Sequence, residues 1–311
     1  MTDFDSGLAL LDLPVPEPAP NELLVRVHAS SINPIDVLTA AGALRGMMEY
    51  EFPVVPGRDF AGVVEEVGTE VVGARVGDAV LGNLSKPVLH DGAWAEYLTV
   101  PVDGFVVPKP ERLDFTAAAA LPVVGLTALE AVDAVDPEEG ELVLIVGAGG
   151  GVGSFAVQLA AERGATVIAT AKPGDEQRLR GLGAAETIDY TMQDVVAAVR
   201  ERHPEGVGAL IDLVDRGDAF ASVAALVQPG GRAASPIGAA NAEELARRQV
   251  TGSNVMASNA GPPALARLAE RAAAGELKVA IDSVRPLAEV PAAVAEFSAG
   301  KRGKVVVSIA G

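Results

Sequence analysis

The chain has 311 residues, 49 % of them apolar, with 42 acidic against 24 basic side chains and a net charge of −18. It has no cysteine, which excludes disulfides, thiolate catalysis and every cysteine-ligated zinc site. So acidic a chain repels a nucleic-acid backbone, and no apolar run reaches the roughly 18–20 residues of a membrane span.

The opening MTDFDSGLALLDLPVPEP has neither a basic n-region nor an apolar core, so the sequence predicts no signal peptide. With the missing cysteines, that reads as a cytoplasmic protein. The first third then reads as short strands: ELLVRVHASSI, AGVVEEVG, VGDAVLG and AEYLTVP, rich in β-branched residues and separated by turn formers. Such spacing suggests a small barrel-like β domain. Near Asp114 the texture changes. DFTAAAALPVVGLTALEAV has a helical pattern that Asp114 caps and Pro122 interrupts.

Strands and helices alternate from there. ELVLIVG, ATVIAT, AETIDY, VGALIDLV and GRAASPIG read as strands. GSFAVQLAAERG, GDEQRLRGLG, MQDVVAAVRERHP and DAFASVAALVQPGG read as the helices between them. Nearly continuous apolar strands in β-α repetition predict a doubly wound parallel sheet. After a further helix, PPALARLAERAAAGEL, the tail ends in the strand KVVVSI. That strand is expected to return to the first domain and make it discontinuous.

The motif that carries chemistry is LVLIVGAGGGVGSFAVQLA, a strand, a glycine turn and a helix. Gly147 makes the turn, Gly150 lets a pyrophosphate approach the backbone, and Gly153 lets the helix pack on the strand. Free N–H groups at the helix start face the diphosphate. An NAD site wants a carboxylate at the end of the second strand. ATVIAT is followed instead by Ala171 and Lys172, and the first acid, Asp175, has a capping explanation at the next helix. Lys172 suits the 2′-phosphate of NADPH, with Arg178 one to two turns on as a second cation. Either could equally be a solvated side chain.

Several segments in series resemble one family: LVRVHASSINPID, FPVVPGRDFAGVVEEVG, GAWAEYLTVP, AAALPVVGLTALEA, the glycine motif, LGAAETIDY and GKVVVSI. The chain resembles a zinc-independent quinone oxidoreductase, zeta-crystallin-like, of the medium-chain dehydrogenase/reductase superfamily. The resemblance implies an α/β fold: a Rossmann doubly wound parallel sheet over 117–276, and a discontinuous GroES-like β-barrel catalytic domain over 1–116 and 277–311. It implies NADPH and the reduction of quinones or α,β-unsaturated carbonyls. It assigns Gly150, Gly151, Val152 and Gly153 to the diphosphate, Lys172 and Tyr190 to the 2′-phosphate region, and Lys304 to the neighbourhood of the cofactor. Asn33 and Thr127 would face nicotinamide and substrate, and Tyr50 would line the substrate pocket. It also implies a homodimer joined at the Rossmann sheet edge, through QVTGSNVMAS at 249–258.

The chain departs from this pattern at two places. Zinc-dependent members carry cysteine near the position of Asn33 and a His-Glu pair after the PG turn, where this chain has Arg58-Asp59. Members also open with a strand that MTDFDSG does not resemble. As hydride reaches an enone or quinone, negative charge grows on oxygen, and Asn33, Thr127 and Tyr50 are neutral donors suited to it. Each has a plainer reading: a turn former before proline, a helix hydroxyl bonded to its own backbone, an aromatic beside a turn. Asp36 either orients Asn33 or is an ordinary helix carboxylate. His28, His90 and His203 form no ligand set. The basic cluster KRGK at 301–304 is better used at the cofactor than at an acyl carrier. Two further functions stay open: an enoyl-thioester reductase on the same scaffold, and a non-catalytic NADPH-binding sensor or structural protein.

Overall fold

The computed structural model describes residues 1–299 and 303–309. Two compact units divide the chain, Met1–Val123 with Gly261–Gly311, and Val124–Ala260. The first unit comprises β1 (Glu22–Ile32), α1 (Pro34–Ala40), β2 (Glu49–Tyr50), β3 (Asp59–Val67), β4 (Ala79–Asn83), β5 (Val88–Leu89), β6 (Tyr97–Pro101), β7 (Phe105–Pro108) and α2 (Phe115–Ala119). Helix α3 (Pro122–Val135) carries the chain into the second unit.

The second unit continues with β8 (Leu142–Val146), α4 (Gly151–Glu162), β9 (Thr166–Ala171), α5 (Glu176–Arg180), β10 (Ala184–Asp189), α6 (Val195–Arg202) and β11 (Val207–Asp212). It ends with α7 (Gly217–Ala224), β12 (Val227–Ser235), α8 (Ala242–Ala246) and β13 (Thr251–Asn254). The first unit resumes with α9 (Gly261–Ala273), β14 (Ile281–Pro286), α10 (Val290–Ala299) and β15 (Lys304–Ser308).

The second unit is a six-stranded sheet in the order β10-β9-β8-β11-β12-β13, parallel throughout. This is the doubly wound order, with its reversal between β8 and β11. Leu144, Ile145, Ile168 and Leu210 are fully enclosed between the helix layers. Each contributes about 1.5–3 kcal/mol by leaving water. The helix predicted over 218–231 stops at Ala224, and the next strand starts at Val227 and contains Pro229 and Gly230. Gly230 takes φ +87°, which accommodates a register shift between β11 and β12. Strand β13 ends the sheet as an exposed edge.

In the first unit β1 is the hub of a mixed sheet, β14-β15-β1-β3-β4-β7, with β6 also paired to β1. Its 22–26 half pairs with β6 and its 29–32 half with β15, so it is buried along nearly its whole length. The C-terminal strand thus returns to the first domain. The boundaries fall at 123/124 and 260/261 rather than at 116/117 and 276/277. The reason is α9, which buries Ala264, Leu265, Leu268 and Ala269 on one face and packs against β7. Among the described residues no strand precedes Glu22. Met1 and Val54 exchange two backbone hydrogen bonds of 2.8 Å, and the Phe4 ring lies 4.9 Å from those of Tyr50 and Phe52.

Beneath β1 lies a closed polar network. The Lys304 amine, 1 % exposed, donates to Asn33 Oδ1 at 2.6 Å, to the Ile32 carbonyl at 3.2 Å and to Asp59 Oδ2 at 3.4 Å. Asp59 Oδ2 also accepts from Ser31 Oγ and Asn33 Nδ2, each at 2.9 Å, and Oδ1 accepts the Val123 N–H at 3.0 Å. Burial holds the lysine below its usual range, with Asp59 and Asp36 pulling it back up. Replacing Lys304 by methionine leaves that carboxylate enclosed without its cation, and should cost about 3 kcal/mol in urea unfolding. A loss below about 1 kcal/mol would show the ion pair to be incidental.

Asp36, 1 % exposed, is pushed up to about 7 by burial first and then by Asp59. A carboxyl raised in the fold binds more protons folded than unfolded, so its contribution to stability fades as pH rises from about 4 through about 7. Unfolding free energy measured across that window should therefore fall less steeply in Asp36→Asn than in the wild type. Equal slopes would refute this.

Candidate functional site

The cofactor cradle forms where β8 gives way to α4. Gly147 takes φ +82° and donates its N–H to Thr170 Oγ1 at 2.9 Å, which ties the turn to the end of β9. A Cβ on Gly153 would sit 2.3 Å from the Gly147 carbonyl oxygen and 2.5 Å from Ala148 Cα, so only glycine lets the helix come this close. At Gly150 a Cβ would meet only the Gly147 oxygen at 3.5 Å. That face is open to an approaching group. Gly150 N–H is bonded to Gly147 O and Ser154 N–H to Gly150 O. The N–H groups of Gly151, Val152 and Gly153 between them belong to the first helical turn, which has no intrahelical acceptors. This geometry fits a dinucleotide diphosphate.

Three side chains named for the 2′-phosphate region lie near the ends of β9 and β10 and the start of α5. Lys172 is half-buried just after β9; its carbonyl accepts the Asp175 N–H at 3.0 Å, and among the described residues its amine makes no hydrogen bond or ion pair. Tyr190 is 45 % exposed and sits beside it, its N–H bonded to the Ala171 carbonyl at 3.3 Å. Arg178 is instead bound to the glycine turn, donating to Gly149 O and Ser154 Oγ at 3.0 Å each and pairing with Asp175 at 3.3 Å. Asp175 starts α5 but makes no capping hydrogen bond with its side chain. Its carboxylate turns toward Gly149. Asp212, at the end of β11, is pushed up to about 6 by burial, and Oδ2 has no hydrogen-bond partner.

On the first unit, Asn33 lies in the closed network with both ends of its amide bonded and no exposure. Lys304 lies in the same network. The side-chain contacts of both are with the protein, so any effect they have on chemistry passes through the groups they hold. Lys301 and Arg302 of the basic cluster lie outside the described residues. Tyr50 is half-buried, with its hydroxyl donating to the Thr39 carbonyl at 3.3 Å and its phenol held above its usual range by burial. Thr127, on the second unit, is 7 % exposed on α3. Asp36 accepts the Asn33 N–H at 2.8 Å, which decides in favour of its orienting the start of α1.

One feature was not singled out in the sequence. A small open cavity is lined by Asp36, Thr39, Leu84, Lys86, Asp91 and Arg58. The available signal was the residue after PG, where zinc-dependent relatives carry histidine.

Comparison with known proteins places this geometry. Residues 19–111 match the alcohol dehydrogenase GroES-like domain family, and 182–307 match the zinc-binding dehydrogenase family. The chloroplast envelope quinone oxidoreductase homolog of Arabidopsis thaliana is 38 % identical over 193 residues, 60 % of this chain and 57 % of that protein. The match thus spans little more than half of that relative's length. Human mitochondrial NAD(P)H oxidoreductase RTN4IP1 is 32 % identical over 330 residues, covering 93 % of this chain and 82 % of that protein. The solved quinone oxidoreductase from Coxiella burnetii superposes with a TM-score of 0.89 at 32 % identity, over 97 % of this chain and 95 % of that one. The chain belongs to the quinone oxidoreductase branch of the medium-chain dehydrogenase/reductase superfamily.

Proposed function

We propose that the protein is an NADPH-dependent reductase that transfers hydride to quinones or other α,β-unsaturated carbonyls without zinc, as a homodimer in the cytoplasm. The observation that carries the cofactor reading is Lys172, a cation without a partner among the described residues, beside Tyr190. Arg178, already engaged with Asp175 and the glycine turn, braces that turn. NADPH, held by the glycine turn and Lys172, would supply the hydride. Addition to the β-carbon moves the alkene electron pair onto oxygen, and a proton from solvent completes the saturated ketone.

Zinc independence is supported by the chemistry of the residues present. There is no cysteine, and Arg58-Asp59 stands where a histidine ligand would be needed. Asp59 is moreover committed to Lys304. For the dimer, the support is β13, an exposed edge strand that needs covering. In this reading the Tyr50 ring lines the substrate pocket while its hydroxyl stays on the Thr39 carbonyl, and Thr127 faces the nicotinamide.

The reductase is tested by following NADPH absorbance with 1,4-benzoquinone, 9,10-phenanthrenequinone, an alkenal and crotonyl thioester. Oxidation above the enzyme-free rate with a quinone or the alkenal is expected. Turnover of the thioester alone would instead favour the enoyl reductase, and tight NADPH binding without turnover the sensor. NADPH should be preferred over NADH, and Lys172→Ala should raise the KM for NADPH by roughly tenfold to a hundredfold while sparing NADH. Equal use of both cofactors by the wild type would remove this assignment.

A further inference from the structure

The reductase reading leaves Arg58 without a task, although its position is unusual for an arginine. It is half-buried, and among the described residues its guanidinium reaches the Met48 thioether, 3.7 Å from Nη2, a weak acceptor for a group with five N–H donors. Lys86, in the same cavity wall, is already committed to Glu22 at 3.0 Å, Asp91 at 3.7 Å and Thr99 at 2.7 Å. Asp36 lines the same cavity. Its Oδ2 holds the Asn33 N–H, and its buried Oδ1 has no hydrogen-bond partner. Arg58 bears on Asp36 through its charge and not through a hydrogen bond. Polar groups left so poorly bonded persist where a ligand completes them.

We propose that this cavity receives the carbonyl oxygen of the quinone or enone, and that Arg58 is the charged donor holding that oxygen as negative charge develops on it. The inference rests on the reductase reading and deepens it. The neutral donors on this unit are otherwise engaged: the Asn33 amide is bonded at both ends, and the Tyr50 hydroxyl is on the Thr39 carbonyl. A guanidinium in a partly dehydrated pocket stabilises an enolate or hydroquinone oxygen more strongly than either could.

Asp36 backs this wall without offering an oxygen to the ligand: Oδ2 accepts the Asn33 N–H, and Oδ1 is enclosed.

The test compares wild type, Arg58→Met and Arg58→Lys, each checked for an unchanged melting temperature. Three readings are taken: kcat and KM for cyclohex-2-enone, the Kd for NADPH, and acetate binding followed by saturation transfer from the protein to the acetate methyl protons. Arg58→Met should lower kcat by roughly a hundredfold, leave NADPH affinity unchanged and abolish acetate binding, with partial rescue by lysine. Retention of kcat within about threefold, or a parallel loss of NADPH affinity, would overturn the proposal. If the wild type reduces no enone or quinone, the reductase reading fails on its own. Acetate then reads the cavity directly: binding that needs Arg58 supports an oxygen subsite, and binding indifferent to Arg58 refutes it.

Discussion

A lysine amine and an aspartate carboxylate enclosed together under one strand set the geometry of the first unit. Neither charge is tolerable there alone, so whatever brings one must bring the other. Lys304 arrives on β15 and Asp59 on β3, and both lie against β1, so a C-terminal strand is locked to a segment 245 residues earlier. Asn33 bridges the pair and is thereby fixed as the entry to α1. Asp36, held by the Asn33 N–H, inherits its position from that bridge. The Val123 N–H, donated to Asp59 Oδ1, ties the start of α3 to the same carboxylate. Arg58 precedes Asp59 in the chain, so anchoring the carboxylate also sets where the guanidinium emerges.

The second unit works by a different economy of groups. Its turn is made almost entirely of backbone, with glycine where α4 must touch the turn and where a ligand must approach. Of the two cations near this turn, Arg178 is tied to Gly149, Ser154 and Asp175, while among the described residues the Lys172 amine makes no hydrogen bond or ion pair. The distinction matters because a bound cation braces a loop, whereas an unengaged one is available to a phosphate.

Much of this was legible in the residues. The glycine motif between β8 and α4, the missing acid after β9, and the order of alternating elements all follow from local patterns that chain neighbours decide. What escaped depends on partners distant in sequence. Asp175 reads as a cap, yet its carboxylate pairs with Arg178 beside the glycine turn. The segment 227–231 reads as a helix end because of its proline and glycine, yet it starts β12 through pairing with β11. Helix α9 follows the Rossmann strands in sequence but finds its apolar partner on β7. Asn33 reads as a group facing nicotinamide and substrate and Lys304 as one near the cofactor; their hydrogen bond to each other joins residues too far apart in sequence for either to announce it. Nor does MTDFDSG announce that Phe4 packs on Tyr50 and Phe52.

Hydride transfer from a reduced nicotinamide to the β-carbon of an activated alkene, as proposed above, is tested most directly by reducing cyclohex-2-enone with NADPH carrying two deuterons at C4 and locating the label in the product by mass spectrometry and NMR. One deuteron on the β-carbon and solvent hydrogen on the α-carbon are expected. A saturated ketone without deuterium at the β-carbon, or label on the carbonyl carbon of an alcohol product, would contradict it.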